Sequence, residues 1–172
     1  IIDSGDCGEN LTWSVIESDV VTISVTGKIP DYESCDDAPW HPYGIKSVNI
    51  EYGITEIGNR AFWGGSVTNI SIPASVKRIG TAAFANCSLT SVSLPNSITT
   101  IEESAFGCCN HLENINIPNS VKAIGESAFY SCKMKNIRIP SSVVTIGTNA
   151  FSWNSLTSIE VDSSNKVYDS NS

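Results

Sequence analysis

The stretch Leu89-Thr-Ser-Val-Ser-Leu-Pro-Asn-Ser-Ile-Thr-Thr-Ile-Glu-Glu-Ser-Ala-Phe-Gly-Cys-Cys109 reads as one complete structural turn of the chain. Leu89, Val92 and Leu94 point one way and Ser91 and Ser93 the other, the period-2 pattern of a strand with one buried face. Pro95 has no N–H and ends the ladder. Asn96-Ser97 then turns the chain, Ile98 and Ile101 return to the interior, and Ala105-Phe106 supplies a small and a large core plug, expected on one turn of helix.

Moving outward from this segment, the same unit recurs along the chain. Phe62, Phe84, Phe106, Phe129 and Phe151 are separated by 22, 22, 23 and 22 residues, and Pro73, Pro95, Pro118 and Pro140 by 22, 23 and 22. The one-residue insertion falls in Gly107-Cys108-Cys109-Asn110, where the preceding unit has Ala85-Asn86-Cys87. Glycines at 80, 125 and 147 follow the second isoleucine and are expected to permit a tight bend or a positive φ. A single unit exposes about seven apolar side chains, each worth roughly 1.5–3 kcal/mol when fully buried, and it cannot close a core alone. Stacked units bury these side chains as continuous columns.

The fold expected is therefore a leucine-rich-repeat solenoid, α/β horseshoe-like, mostly β with single helical turns. Its inward strand residues are Ile45/Val48/Ile50, Val67/Ile70/Ile72, Leu89/Val92/Leu94, Leu112/Ile115/Ile117, Met134/Ile137/Ile139 and Leu156/Ile159/Val161. They make a parallel sheet of about six strands, roughly 24 Å long at ~4.8 Å per strand. Residues 1–44 read as a β-hairpin cap: Leu11, Trp13 and Val15 alternate, Glu17-Ser18-Asp19 turns, and Val21, Ile23 and Val25 alternate. Residues 45–172 carry five repeats of 22–23 residues. Trp40-His41-Pro42-Tyr43 reads as packed cap.

The string SIPASVKRIGTAAFANCSLTSVSLPNSITTIEESAFGCC, Ser71 to Cys109, resembles the BspA-type leucine-rich repeats, also described from a treponemal surface protein. The stretch from Ser4 to Phe62 resembles the cap that often precedes them, so the resemblance covers nearly the whole chain. It implies a non-catalytic surface or secreted protein of a bacterium or protozoan that mediates protein binding or adhesion to host or other cells. The partner expected is a host matrix or cell-surface protein, and the location extracellular or on the cell surface. A structural spacer within a larger cell-envelope protein and a carbohydrate-binding module are the alternatives. Asn165-Lys-Val-Tyr-Asp-Ser-Asn-Ser172 resembles the start of a segment that continues in relatives, so truncation at the C-terminus is expected.

Composition narrows the partners further. The net charge of −8 argues against nucleic acid, which needs clustered Lys and Arg. No apolar run approaches the ~18 residues of a spanning helix, so membrane insertion is not expected from this segment. The chain is read as a monomer without a cofactor.

The six cysteines resolve by register. Cys87, Cys109 and Cys132 each follow the repeat phenylalanine by three residues and should stack as buried reduced thiols. Cys108 belongs at the surface or edge. Cys7 and Cys35 both fall in the cap, and a bridge between them in an oxidising compartment and two free thiols both remain open. Cys108, Cys109 and His111 lack the second ligand pair that zinc needs, and no phosphate-binding loop or nucleophile–base constellation stands out.

Outward residues of the sheet form the candidate protein-binding face: Asn49 and Glu51, Asn69 and Ser71, Ser91 and Ser93, Asn114 and Asn116, Asn136 and Arg138, and Glu160. Arg138 is its obvious anchor by residue type. Trp63, Tyr130 and Trp153, one or two residues after the repeat phenylalanine, form a second candidate strip along a side edge.

Overall fold

Each repeat folds as a long strand, a corner led by proline, a short strand and a run of tight turns. The structure is a computed structural model and describes residues 1–17 and 19–169, without the side chains of residues 25 and 35. The N-terminal region holds β1 (Asp3–Gly8), β2 (Leu11–Ile16), β3 (Val20–Val25) and β4 (Gly27–Lys28). Long and short strands then alternate: β5 (Ser47–Ile50) and β6 (Ile54–Ile57), β7 (Asn69–Ser71) and β8 (Arg78–Ile79), β9 (Ser91–Ser93) and β10 (Thr100–Ile101). The series continues with β11 (Asn114–Asn116) and β12 (Ala123–Ile124), β13 (Asn136–Ile139) and β14 (Thr145–Ile146), and β15 (Ser158–Val161). Two 3-10 turns, Cys35–Asp37 and His41–Tyr43, are the helical elements among the described residues.

The long strands stack in parallel as the repeat requires. β5 pairs with β7, β9 with β11 and β13 with β15, while β7/β9 and β11/β13 are adjacent without a shared ladder. A second parallel sheet runs unbroken through the short strands in the order β4-β6-β8-β10-β12-β14. Sequence reading missed it because two residues such as Arg78-Ile79 carry no visible alternation. In the last long strand, Ile159 was expected inward but stays 49 % exposed. Among the described residues no strand pairs with the far side of β15, so nothing covers that position.

The Ala-Phe segment is not a helical turn. Ala83 N–H bonds to the Gly80 carbonyl and Ala85 N–H to the Ala82 carbonyl, both at 3.2 Å, as overlapping tight turns. Alternate amides instead reach the next repeat: Ala82 to Glu103 O at 2.9 Å, Phe84 to Ala105 O at 2.8 Å and Asn86 to Gly107 O at 2.8 Å. A helix would bond those amides four residues back. Aiming them sideways places Arg60, Ala82, Ser104 and Ser127 at φ of 52–54°. Each such non-glycine residue costs about 1–2 kcal/mol, offset by the lateral hydrogen bonds.

The glycines after the second isoleucine have a different job from the one expected. Gly80, Gly125 and Gly147 do not have positive φ; they let neighbouring turns touch backbone to backbone. A Cβ on Gly125 would lie 2.5 Å from Glu103 N, and one on Gly147 2.3 Å from Glu126 N.

The core is a set of columns. Phe62, Phe84, Phe106, Phe129 and Phe151 stack with centroids 5.2, 5.5, 5.6 and 5.7 Å apart and planes within 10°. In the cap, β2 pairs antiparallel with β1 and β3, and β3 continues parallel into β5 with Val21 beside Val48. The expected hairpin, β2–β3, thus gains β1 as a third strand and becomes a three-stranded meander. Trp40 lies 22 residues before Phe62, is 1 % exposed, and stacks on it at 5.3 Å. β3, β4 and Trp40 therefore take the long-strand, short-strand and phenylalanine positions of a partial turn, which closes the solenoid's first face.

Candidate functional site

The outward residues of the long strands line up by register. Ser47 stands beside Asn69 and Asn49 beside Ser71; Ser91 beside Asn114 and Ser93 beside Asn116; Asn136 beside Ser158 and Arg138 beside Glu160. Asn49 is half-buried, and Glu51, Asn69, Ser71, Ser91, Ser93, Asn114, Asn116, Asn136, Arg138 and Glu160 are exposed. The face is two rows of hydroxyls and carboxamides, nearly uncharged until its last two strands. The side chains partly pair among themselves, as in Ser158 Oγ to Asn136 Oδ1 at 2.7 Å.

Arg138 is already engaged. Its guanidinium meets Asp162 at 2.7 Å and Glu160 at 3.4 Å, both from the neighbouring chain segment. Sequence reading placed Arg138 on the face but missed this clamp, because Asp162 becomes a neighbour only through the strand register. The face thus presents an ion-paired corner, and an approaching partner would have to compete with two carboxylates for the arginine.

The cysteine column is a structural device. Cys87, Cys109 and Cys132 are buried free thiols that donate to the carbonyls of Phe62, Phe84 and Phe106 at 3.2, 3.1 and 3.3 Å. Burial pushes Cys87 and Cys132 up to about 12 and raises Cys109 as well. Such thiols stay protonated, whereas nucleophiles and metal ligands act as thiolates. Asn154 takes the same slot in the last repeat, donating to Phe129 O at 2.8 Å. Burial also raises Cys7, to about 11. The side chain of Cys35, and with it the bridge to Cys7, lies outside the described residues. Among the described residues no three of His, Cys, Asp and Glu come together to hold a metal ion, and no helix is long and apolar enough to cross a membrane.

The side edge holds a second feature. Trp63 and Tyr130 are half-buried, Trp153 is 79 % exposed, and the Tyr130 and Trp153 rings lie 6.4 Å apart. Between Trp63 and Tyr130 the surface opens into a groove of about 410 Å³.

The comparisons with known proteins agree with this architecture. The model of the BspA type leucine rich repeat region matches residues 40–157 in six copies. A crystallised leucine-rich repeat protein from Eubacterium ventriosum is 30% identical with a TM-score of 0.88, over 95% of this chain and 45% of that one. One from Bacteroides ovatus is 32% identical with a TM-score of 0.64, over 90% of this chain and 40% of that one. A leucine rich cell surface protein from Faecalibacterium prausnitzii is 27% identical with a TM-score of 0.61, over 91% of this chain and 54% of that one. This chain thus spans about half, or less, of each relative's length. No curated protein matches the sequence. The first matched copy begins at Trp40, the residue that the ring stack places in the phenylalanine position, and on this match the chain belongs to the BspA-type leucine-rich-repeat family.

Proposed function

We infer that this chain is a non-catalytic protein-binding module of a surface or secreted protein, mediating attachment to a host matrix or cell-surface protein. The observation that carries this reading is the two-row face of Ser and Asn side chains, Asn69 to Asn136, over an apolar core. A rigid, regularly spaced set of small donors and acceptors suits a complementary protein surface, and curved repeat faces serve as binding surfaces in other solenoids. Membership of the BspA-type family supports it, as does the cell surface protein among the structural relatives. The charge balance of −8 favours a neutral or basic partner patch.

The test is solid-phase binding of the folded chain to purified matrix proteins and to whole cells. A variant carrying Asn69→Lys, Asn114→Lys and Asn136→Lys changes the face without touching the core. Saturable binding that this triple variant loses supports the reading. Binding that the variant retains places the contact elsewhere, and absence of binding by the chain favours a spacer.

A further inference from the structure

The position after each repeat phenylalanine breaks the regularity of the solenoid. It holds Trp63, Ala85, Gly107, Tyr130 and Ser152, so two small residues separate two aromatic ones. Ring-stack steps of 5.2, 5.5 and 5.6 Å separate the levels of Phe62 and Phe129, so Trp63 and Tyr130 stand three solenoid steps apart with a gap between them. That gap is the groove of about 410 Å³, within the range of small-ligand sites. Gly107 keeps it open at a crowded place: a Cβ there would lie 3.3 Å from Ser104 O and 3.4 Å from Ser127 O.

We propose that this groove binds a short neutral oligosaccharide, with Trp63 and Tyr130 as the end platforms. The chemistry of the lining selects this class over a peptide. No Leu, Ile or Val lines it, so the apolar pocket that anchors a peptide side chain is missing. Small residues, Ala82, Ala85 and Gly107, line it between the aromatics, while Thr81, Asn86 and Ser104 offer hydroxyl and carboxamide groups. Sugar rings match this mixture, presenting apolar C–H faces to aromatic rings and hydroxyls to the polar rim. Arg60 and Glu103, both at the groove, offset one another and give an anionic or cationic glycan no advantage. A pyranose is about as wide as one solenoid step, so a chain of two or three rings fills the span between the aromatics. This site is separate from the Ser/Asn face and stands or falls independently of it.

The experiment is saturation-transfer NMR and calorimetry on the whole chain with neutral trisaccharides built from glucose, mannose, galactose and N-acetylglucosamine. Binding of at least one trisaccharide is expected, and Trp63→Ala and Tyr130→Ala should each weaken it on the order of tenfold. Tyr52→Ala, an aromatic 80 % exposed and outside the groove lining, should leave it unchanged. Cys108, half-buried in the groove lining, gives a readout that needs no variant. The trisaccharide should slow its alkylation by iodoacetamide, followed by peptide mass spectrometry. The proposal is overturned if no trisaccharide binds, if binding survives the folded double variant of Trp63 and Tyr130 with Cys108 unprotected, or if only a proline-rich peptide occupies the groove.

Discussion

The indole of Trp40 stacks on Phe62 with 22° between the planes, and its Nε1–H donates to the Ala61 carbonyl at 2.8 Å. One side chain thus continues the phenylalanine column into the cap and satisfies a carbonyl at the solenoid's first open edge. Trp40→Ala removes both contacts and should destabilise the chain by about 3–5 kcal/mol, as for other buried large aromatics. Trp40→Phe keeps the stack and leaves the Ala61 carbonyl without this donor, so a smaller loss of about 1–3 kcal/mol is expected. Urea unfolding of both variants, compared at fixed temperature, checks the order.

Repeat register was legible because Phe62 to Phe151 recur at nearly fixed spacing with proline at each strand end. Trp40 obeys the same spacing, yet its different residue type and the proline-rich sequence around it hid the match. The lateral amide ladder was invisible for another reason. It depends on left-handed backbone at Ala82 and Ser104, residue types that carry no such signal, unlike glycine or asparagine. The outward face could be read from alternation alone, but the Arg138 clamp needed the three-dimensional neighbour of β13.

That clamp makes a prediction about Arg138 itself. Its partners are exposed or partly exposed, and surface pairs contribute about 0–1 kcal/mol. Arg138→Ala should therefore leave the melting temperature nearly unchanged while freeing Glu160 and Asp162 and making the face more acidic. If the face binds a basic patch, affinity should rise with Arg138→Ala and fall with added salt; surface plasmon resonance at two ionic strengths measures both.

Asn154 replaces the column cysteine in the last repeat. It donates to the carbonyls of Phe129 at 2.8 Å and Phe151 at 2.9 Å, and accepts from Met134 N–H at 3.1 Å. Asn154→Ala strips these bonds, together with a longer one to the Ser152 carbonyl at 3.4 Å, and should cost about 1–3 kcal/mol. Asn154→Cys restores the donor to Phe129 alone, so its loss should be the smaller of the two. Hydrogen exchange at the Met134 amide gives a local reading: protection there should fall in both variants, while protection at the distant Val21 amide should not.

The buried thiols tie stability to alkaline pH. An unfolded cysteine loses its proton from about pH 8.5. Folded Cys87 and Cys132 hold theirs up to about 12, and Cys109 is raised too, in each case mainly by burial. Through that window the unfolded state binds fewer protons than the folded one, so stability falls as pH rises. The contribution is fully present below about pH 8.5 and erodes by roughly 1.4 kcal/mol per pH unit for each thiol above it. Cys109→Ala deletes one thiol and, although less stable at neutral pH, should show a shallower decline between about pH 9 and 10.5. Urea midpoints taken at several pH values on both proteins give the two slopes; parallel slopes would mean that Cys109 ionises as readily folded as unfolded.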